Sequence, residues 1–556
     1  MKVLIVGGVA GGASAAARLR RLNEQAEIIL FERGEHISYA NCGLPYYIGG
    51  VISEEDDLLL QTPESFQSRF RVEVRIRHEV IAICPAEKKL RVRDCVRGNE
   101  YEETFDQLIL SPGAKPIIPN IPGNTLPRVY ALRDVKDAVL IRRQLKQSRC
   151  RKAVVIGGGF IGVEVSENLT HQGIQVTVVD LAPQILAPYD AEMSRMIQNK
   201  MEEAGILFSL GTQPQKIEER NGTYQVFLQN GQVLECDFVV FAIGVRPESQ
   251  LAESAGIERN AKGGILVNAW LETNQKDIFA VGDVVEIANP ILSGKYMVPL
   301  AGPANRQGRI VAGNVMGRKE AYEGALGSSV VKVFDWTAAC SGVNERTLQI
   351  QKKPYEKIYL QPYDHATYYP NSSQMLLKLL FAPDGKILGV QCVGEKGVEK
   401  RVDVIAAVMG MGGTVKDLTR LNLCYAPPYA SAKDPVNFAG YVAENVLEGL
   451  MRVKHWHDLA SMDWEREILV DVRTEEEFQA GHLEKSVNIP VDELRERIEE
   501  IPKDKEIVVY CQVGIRGYLA QRILSQNGYT AFNLSGGYGL LEKTGMIKDG
   551  ICKLEG

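Results

Sequence analysis

Two cysteines stand in surroundings suited to sulfur chemistry. Cys42 lies in Ser38-Tyr39-Ala40-Asn41-Cys42-Gly43-Leu44-Pro45-Tyr46, and position 47 is a tyrosine rather than a second thiol. A lone thiol cannot cycle as an intramolecular disulfide; it forms a mixed disulfide with a small thiol or is oxidised to a sulfenic acid. Cys511 ends the apolar run Val508-Val509-Tyr510 and precedes Gln512-Val513-Gly514-Ile515-Arg516, which leads into a helix. A loop of this kind points successive amides inward, and the helix N-terminus adds positive potential. A thiolate, and after sulfur transfer a persulfide anion, is stabilised there.

The elements that must carry these thiols are legible as strands and glycine turns. The apolar strand Lys2–Val6 runs into Gly7-Gly8-Val9-Ala10-Gly11-Gly12 and an Ala-rich helix, and a second strand, Glu27–Phe31, ends in Glu32 and Arg33. This is a dinucleotide-binding βαβ pattern, with Gly7, Ala10 and Gly11 under a pyrophosphate and Glu32 on a ribose diol, although Val9 takes the place of the second glycine. Lys152–Ile156 opens a second such unit through Gly157-Gly158-Gly159-Phe160-Ile161-Gly162, and its next strand, Gln175–Val179, ends in Asp180. Here the glycine motif is complete. Asp180 repels a 2′-phosphate and no arginine follows it closely, so NADH is expected over NADPH. Short buried strands ending in glycine turns recur at 108–113, 239–244 and 278–283, the last closing on Gly282-Asp283.

In this order the motifs resemble the flavoprotein disulfide reductases with two dinucleotide-binding domains. The resemblance implies FAD in the first fold, a nicotinamide nucleotide in an inserted second fold, and Asp283 at the flavin ribityl chain. Gly113, Gly244 and Ala301 are further cofactor contacts on the same ground. Residues 325–450, with SSVVKVFD, KIYL, QMLLKLLF, KILGVQCVG and the helical VDVIAAVMGMGG, read by periodicity only as α+β. In the resembling family they form the interface domain that makes a homodimer and lends residues to the partner's active site. The last hundred residues resemble a rhodanese domain through Asp471-Val472-Arg473, the GHL and NIP signatures and the Cys511–Arg516 loop. The expected fold class is α/β: two Rossmann-like domains, the second inserted in the first, then an α+β dimerisation domain and a C-terminal α/β rhodanese domain. The expected division is 1–149 and 266–324 for FAD, 150–265 for NADH, 325–450 for dimerisation, 451–464 as linker and 465–556 for rhodanese.

With its single redox cysteine the chain is similar to the subfamily holding coenzyme A disulfide and persulfide reductases on one branch and NADH oxidases and peroxidases on the other. Arg18 and Arg21 fall near one face of the first helix. In the coenzyme A branch, corresponding positions meet the coenzyme's phosphates, with Ser14, Ser38 and Asn41 close by. Arg69 and Arg71 are further candidates. Lys433 matches another coenzyme-binding lysine, and Asn305 stands where some members carry a histidine. Tyr425, before Pro427-Pro428, matches a tyrosine that the partner subunit places over the thiol, and Tyr368 and Tyr369 are two candidates for a second phenol, able to stabilise or protonate a departing thiolate. Arg516 completes the Cys511 loop, whose length resembles sulfurtransferases. The implied reaction is NADH- and FAD-dependent reduction of coenzyme A persulfide or disulfide, with polysulfide as a further substrate. Cys42 forms a mixed disulfide with coenzyme A, Cys511 transfers sulfane sulfur and hydrogen sulfide is released. The peroxidase branch usually carries a histidine near the first helix turn, where Ala10 and Ser14 stand instead. A redox-responsive binding protein is the remaining alternative; it would purify without FAD.

Composition narrows the classes further. The chain has 556 residues, a net charge of -6, 45% hydrophobic and 24% charged residues, which excludes wholesale disorder and predicts several domains. Mild acidity argues against nucleic acid as a partner, and no apolar run reaches membrane-spanning length. Ten cysteines without a CxxC pair or repeated framework exclude a zinc site and a disulfide scaffold, and fit a reducing, cytoplasmic setting. Apart from Cys42 and Cys511 they are expected to be structural, Cys340 and Cys424 included.

Overall fold

The computed structural model describes residues 1–147, 150–545 and 554–555, and the chain divides into two compact units. The first comprises Met1–Pro183 with Gly205–Gly327; the second comprises Gln184–Ala204 with the residues from Ser328 on. No helix among the described residues is long and apolar enough to cross a membrane.

Two parallel five-stranded sheets organise the first unit. Strand order in the first is Ile278–Ala280, Gln107–Leu110, Lys2–Val6, Glu27–Glu32, Glu73–Ile76. Val3, Leu4, Ile5 and Leu108 are fully buried, as a parallel sheet covered on both faces requires, each contributing about 1.5–3 kcal/mol. The second sheet runs Leu207–Leu210, Gln175–Asp180, Lys152–Ile156, Phe238–Phe241, Val129–Ala131. Its edge strand Val129–Ala131 precedes the expected boundary at 149/150, so that boundary falls inside the second nucleotide fold rather than before it. The strand is too short for its own periodicity to announce this.

Close backbone approach sets the geometry around the first helix, Ala10–Leu22. Gly7 has φ +98°, and a Cβ there would sit 2.0 Å from the Ser111 carbonyl oxygen. On the facing helix, Ala301–Val315, a Cβ at Gly308 would lie 2.5 Å from the Gly11 carbonyl oxygen. Only glycine lets the two helices touch, and the contact brings Asn305 to Ser14, whose hydroxyl donates to the Asn305 amide oxygen. Arg20, missed by sequence reasoning, is buried and structural: its guanidinium donates to the carbonyls of Phe70, Arg71, Asn23, Glu24 and Ala26.

The second unit contains an antiparallel sheet in the order Ser329–Val333, Trp336–Gly342, Ile387–Gly394, Leu376–Phe381, Glu356–Leu360. Its Lys378 is fully buried and paired with Asp190 at 2.8 Å, Glu192 at 2.5 Å and Glu345. Lys357 adds a second ammonium 2.7 Å from Glu345, and the Tyr359 hydroxyl donates to Glu192 at 2.8 Å. The three carboxylates are within chelating distance of one another, but the Lys378 ammonium already sits among them. This cluster explains why the helix Ala191–Glu203 belongs to the second unit although its sequence lies between strands of the second nucleotide sheet.

A further parallel sheet runs Val453–Lys454, Ala531–Leu534, Glu506–Tyr510, Glu467–Asp471, Val487–Asn488. Residues 451–464, expected as a linker, therefore supply an edge strand of this sheet and a short helical turn, Trp456–Ser461. The Ser535 hydroxyl accepts the Tyr359 amide at 3.1 Å, and Gln361 donates to the Gly536 carbonyl at 2.7 Å, so this sheet is seated on the antiparallel sheet of its own chain.

Of the cysteines expected to be structural, Cys236, Cys340 and Cys392 are buried, whereas Cys84, Cys95 and Cys424 are exposed. Cys84 ends a strand, Cys95 follows one, and Cys424 lies in an irregular segment. Cys552 lies outside the described residues.

Candidate active site

Above the C-terminal ends of the first sheet lies a cavity of about 460 Å³ lined by Gly7, Ala10, Gly11, Glu32, Arg33, Asn41, Gly113 and Asp283, among others. The Glu32 carboxylate accepts the amides of Gly8 at 2.9 Å and Gly34 at 2.8 Å, which fixes its free lone pairs over the cavity. Val9, in the place of a motif glycine, also lines the wall. Ala301 does not line the cavity; Ala304, a helical turn further on, does. Sequence reasoning missed Glu248, which pairs with Arg33 and, at 3.2 Å, with Arg133; nothing local marked it. Asp283 is pushed up to about 6 by burial.

The second nucleotide fold repeats the device. Asp180 accepts the amides of Gly158 at 2.6 Å and Ala182 at 2.7 Å. A Cβ on Gly159 would meet open space, while Gly157 and Gly162 lie against backbone, and Gly244 turns the chain after Phe238–Phe241 with φ +108°. An acid and a helix N-terminus fit a dinucleotide ribose and pyrophosphate in both folds, and the second adds an approachable glycine, Gly159, where the first has Val9.

Cys42 sits in a one-turn helix, Asn41–Gly43, before the helix Leu44–Ile48. The residue is exposed, but the surrounding protein, with the carboxylates of Glu164 and Asp283, raises the thiol pKa above its ordinary value. Burial pushes Glu164 up to about 7, and the Tyr46 hydroxyl donates to it at 3.3 Å. Glu164 was not foreseen; it follows the glycine motif on the helix Phe160–His171.

A second cavity of about 330 Å³ brings Ser14, Arg18, Arg21, Ser38 and Asn305 together, while Asn41 faces the first cavity. Arg69 and Arg71 are not part of it: Arg71 is exposed beyond the helix Pro63–Phe70 and pairs with Glu24 at 3.3 Å. That helix contributes Phe66 and Phe70 instead, and Gln61 and Arg309 complete the wall. Arg309, one turn after Asn305, was missed because nothing in the sequence pairs the two helices. Arg18, Arg21 and Arg309 line this cavity together with no carboxylate among its described lining residues, an arrangement that favours an anion.

In the second unit the Tyr368 and Tyr425 hydroxyls are hydrogen-bonded at 2.8 Å, both rings exposed. Tyr369 instead packs edge-on against His365, which separates the two tyrosine candidates. Lys433 is exposed beside the buried Asp434, which accepts from Arg401 at 3.0 Å. Cys511 is buried, and its sulfur accepts the Gly514 amide at 3.1 Å. Arg516 donates to both Glu477 oxygens, at 2.6 and 2.7 Å.

Residues 1–308 match the family described as pyridine nucleotide-disulphide oxidoreductase, and residues 328–435 match the dimerisation domain of the same family. The chain belongs to the pyridine nucleotide-disulphide oxidoreductases. Residues 456–543 match the rhodanese-like domain, so this oxidoreductase carries that domain as well. Coenzyme A disulfide reductase of Staphylococcus epidermidis is 35% identical over 445 residues, 80% of this chain and 100% of that protein. Among solved structures, reduced Bacillus anthracis CoADR-RHD matches with TM-score 0.96 and 45% identity, covering 99% of this chain and 98% of that one. A NAD-dependent persulfide reductase from A. fulgidus matches with TM-score 0.90 and 34% identity, covering 97% and 100%. The expected α/β plan of this oxidoreductase, with nucleotide-binding, dimerisation and rhodanese domains, is the observed one.

Proposed function

We propose that this oxidoreductase reduces coenzyme A persulfide and coenzyme A disulfide, with polysulfide as a further substrate, at the expense of NADH, and that Cys511 moves the sulfane sulfur. The observation that carries the reading is the arginine-lined cavity. Ser38 lines it, and the same loop continues to Cys42. A phosphorylated thiol bound by Arg18 and Arg21 is thereby held beside the only thiol of the loop.

FAD held by Glu32, Arg33 and Asp283 supplies, when bound, the relay for an electron pair between nicotinamide and thiol. The residues do the rest. Cys42 thiolate attacks the sulfur bonded to coenzyme A; the S–S bond of the persulfide breaks, hydrosulfide leaves with the electron pair, and a Cys42–coenzyme A mixed disulfide remains. Two electrons and a proton returned to that disulfide free coenzyme A and restore the thiolate. Tyr425, hydrogen-bonded to Tyr368, is assigned to protonate or stabilise the departing thiolate across a homodimer. Domains follow the expected plan, with the strand Val129–Ala131 counted in the NADH fold and Val453–Lys454 in the rhodanese fold. A reducing cytoplasm, which keeps Cys42 a thiol, is the assigned compartment.

The test is anaerobic NADH consumption with coenzyme A persulfide, coenzyme A disulfide and hydrogen peroxide in parallel. Persulfide or disulfide is expected to be turned over and peroxide not, with sulfide formed from persulfide and activity lost in Cys42→Ser. Preference for peroxide, or full persulfide turnover by Cys42→Ser, overturns the reading.

A further inference from the structure

The second thiol has electrostatics of its own. The only cationic side chain in the Cys511–Arg516 loop is Arg516, and the Glu477 carboxylate takes its guanidinium through two parallel hydrogen bonds. Glu477 is fixed in that role: its neighbour Thr474 caps the helix Glu475–Gln479, and the pairing with Arg516 holds the carboxyl at about 2, so it is ionised throughout the working range. A second guanidinium nearby, Arg473, is buried, donates to both oxygens of Asp471 at 2.7–3.1 Å, and reaches the loop only through Gln512 at 3.2 Å. Gln512 itself carries no charge and donates its amide to Glu542 at 3.3 Å. Lys543, next in sequence, points elsewhere: its ammonium donates to Gln361 at 2.9 Å and to Gln374. Among the described residues, each guanidinium at the loop is already neutralised by a carboxylate, and Glu542 adds an exposed negative charge.

The chemistry at Cys511 divides sulfur donors by their leaving group. With an organic persulfide, the Cys511 thiolate attacks the terminal sulfur, the S–S bond breaks, and a thiolate leaves with one negative charge and takes up a proton. With thiosulfate, the same attack must expel sulfite, a dianion, whose second charge calls for a cation not already balanced by a carboxylate. We infer that the Cys511 loop selects organic persulfides as sulfur donors and discriminates against thiosulfate, and that Glu477 determines this by neutralising the charge of Arg516. The inference rests on the reading of Cys511 as the sulfur-carrying thiol and goes beyond it to the donor.

Arg516 closes the loop that Cys511 opens, so releasing its guanidinium from Glu477 leaves an unbalanced positive charge on the loop from which sulfite must depart. In Glu477→Gln the bidentate ion pair is lost. A charge-assisted hydrogen bond gained by the dianion corresponds to about a tenfold rise in kcat/KM for thiosulfate. Gln512→Arg, which adds a guanidinium at the exposed side of the loop without touching Glu477, is expected to shift the donor preference the same way.

The experiment uses the full-length holoenzyme and measures the persulfide formed on Cys511, by alkylation and intact-mass analysis, with glutathione persulfide and with thiosulfate as donors. Wild-type protein is expected to load from the persulfide and load from thiosulfate at least about tenfold more slowly, with at least one of the two variants narrowing that ratio. Equal loading of the wild type from both donors overturns the inference, as does an unchanged or wider ratio in both variants. Cys511→Ala separates the two levels: loading that persists in it refutes the sulfur-carrying role itself, whatever the donor ratio.

Discussion

The Cys42 thiol is set against its surroundings: although the residue is exposed, the protein packed around it displaces solvating water and disfavours the thiolate, and Glu164 and Asp283 add negative charge. Above pH 7 the Glu164 carboxyl is ionised in the range where a thiol titrates, so its charge opposes thiolate formation. Removing it in Glu164→Gln should lower the pH midpoint of Cys42 alkylation by iodoacetamide, read by mass spectrometry; an unchanged or higher midpoint contradicts the assignment. The same scale separates the tyrosines. Tyr425 shares a hydrogen bond with Tyr368, whereas Tyr369 packs on His365. Tyr425→Phe should lower kcat for disulfide reduction by about tenfold or more if the phenol handles a proton, and Tyr369→Phe should leave it nearly unchanged. The first-helix arginines were readable because two residues three apart on a helix share a face. Arg309 was not, because its place depends on how closely two helices touch at Gly308.

Elements are joined by interactions that no local pattern discloses. The strand Leu376–Phe381 reads as a plain apolar run interrupted by Lys378, and an exposed lysine is the ordinary expectation. Instead Lys378 is fully buried among Asp190, Glu192 and Glu345. Burial pushes the Glu345 carboxyl up, but Lys378 and Lys357 outweigh it and hold the group at about 2. Because this folded value lies below the ordinary 4.5, the stabilisation from Glu345 is complete above about pH 4.5 and is lost as the pH falls toward 2. Lys378→Met leaves buried carboxylates without their cation and should cost about 3–5 kcal/mol, measured by denaturant unfolding. A cost below about 1 kcal/mol contradicts the role of the cluster. The linker expectation for 451–464 failed for a related reason: a two-residue strand, Val453–Lys454, gains its identity only from pairing with Ala531–Leu534.

At the scale of the whole molecule, one chain combines a disulfide oxidoreductase with a rhodanese domain, and the two sulfur sites make separate predictions. Cys511→Ala should abolish persulfide formation at the second site while retaining NADH-dependent coenzyme A disulfide reduction at or near the wild-type rate. Loss of both activities would show that the sites are not independent. A milder variant probes the seat of the rhodanese sheet. Gln361 holds the Gly536 carbonyl, and two residues on, the Tyr538 amide binds the Cys511 carbonyl. Gln361→Ala should therefore slow sulfur loading of Cys511 and leave disulfide reduction unchanged, both rates being measured on the same preparation. Tethering raises the effective concentration of one site near the other without requiring a direct contact between the thiols.

By itself the sequence determined the parts with local physical signatures. Glycine turns at helix N-termini, acids at strand ends, a lone Cys42 and the Cys511 loop are each fixed by residue type and spacing over a few positions. Backbone sterics and helix electrostatics act at that range. Tertiary structure decided which of those parts meet: Ser14 with Asn305 and Arg309 around one cavity, Tyr368 with Tyr425, Glu477 over Arg516, and the helix Ala191–Glu203 with the antiparallel sheet. Those pairings join residues far apart in the chain, and they are set by helix contact, sheet pairing and the need of buried charges for partners, quantities that exist only once the chain has folded.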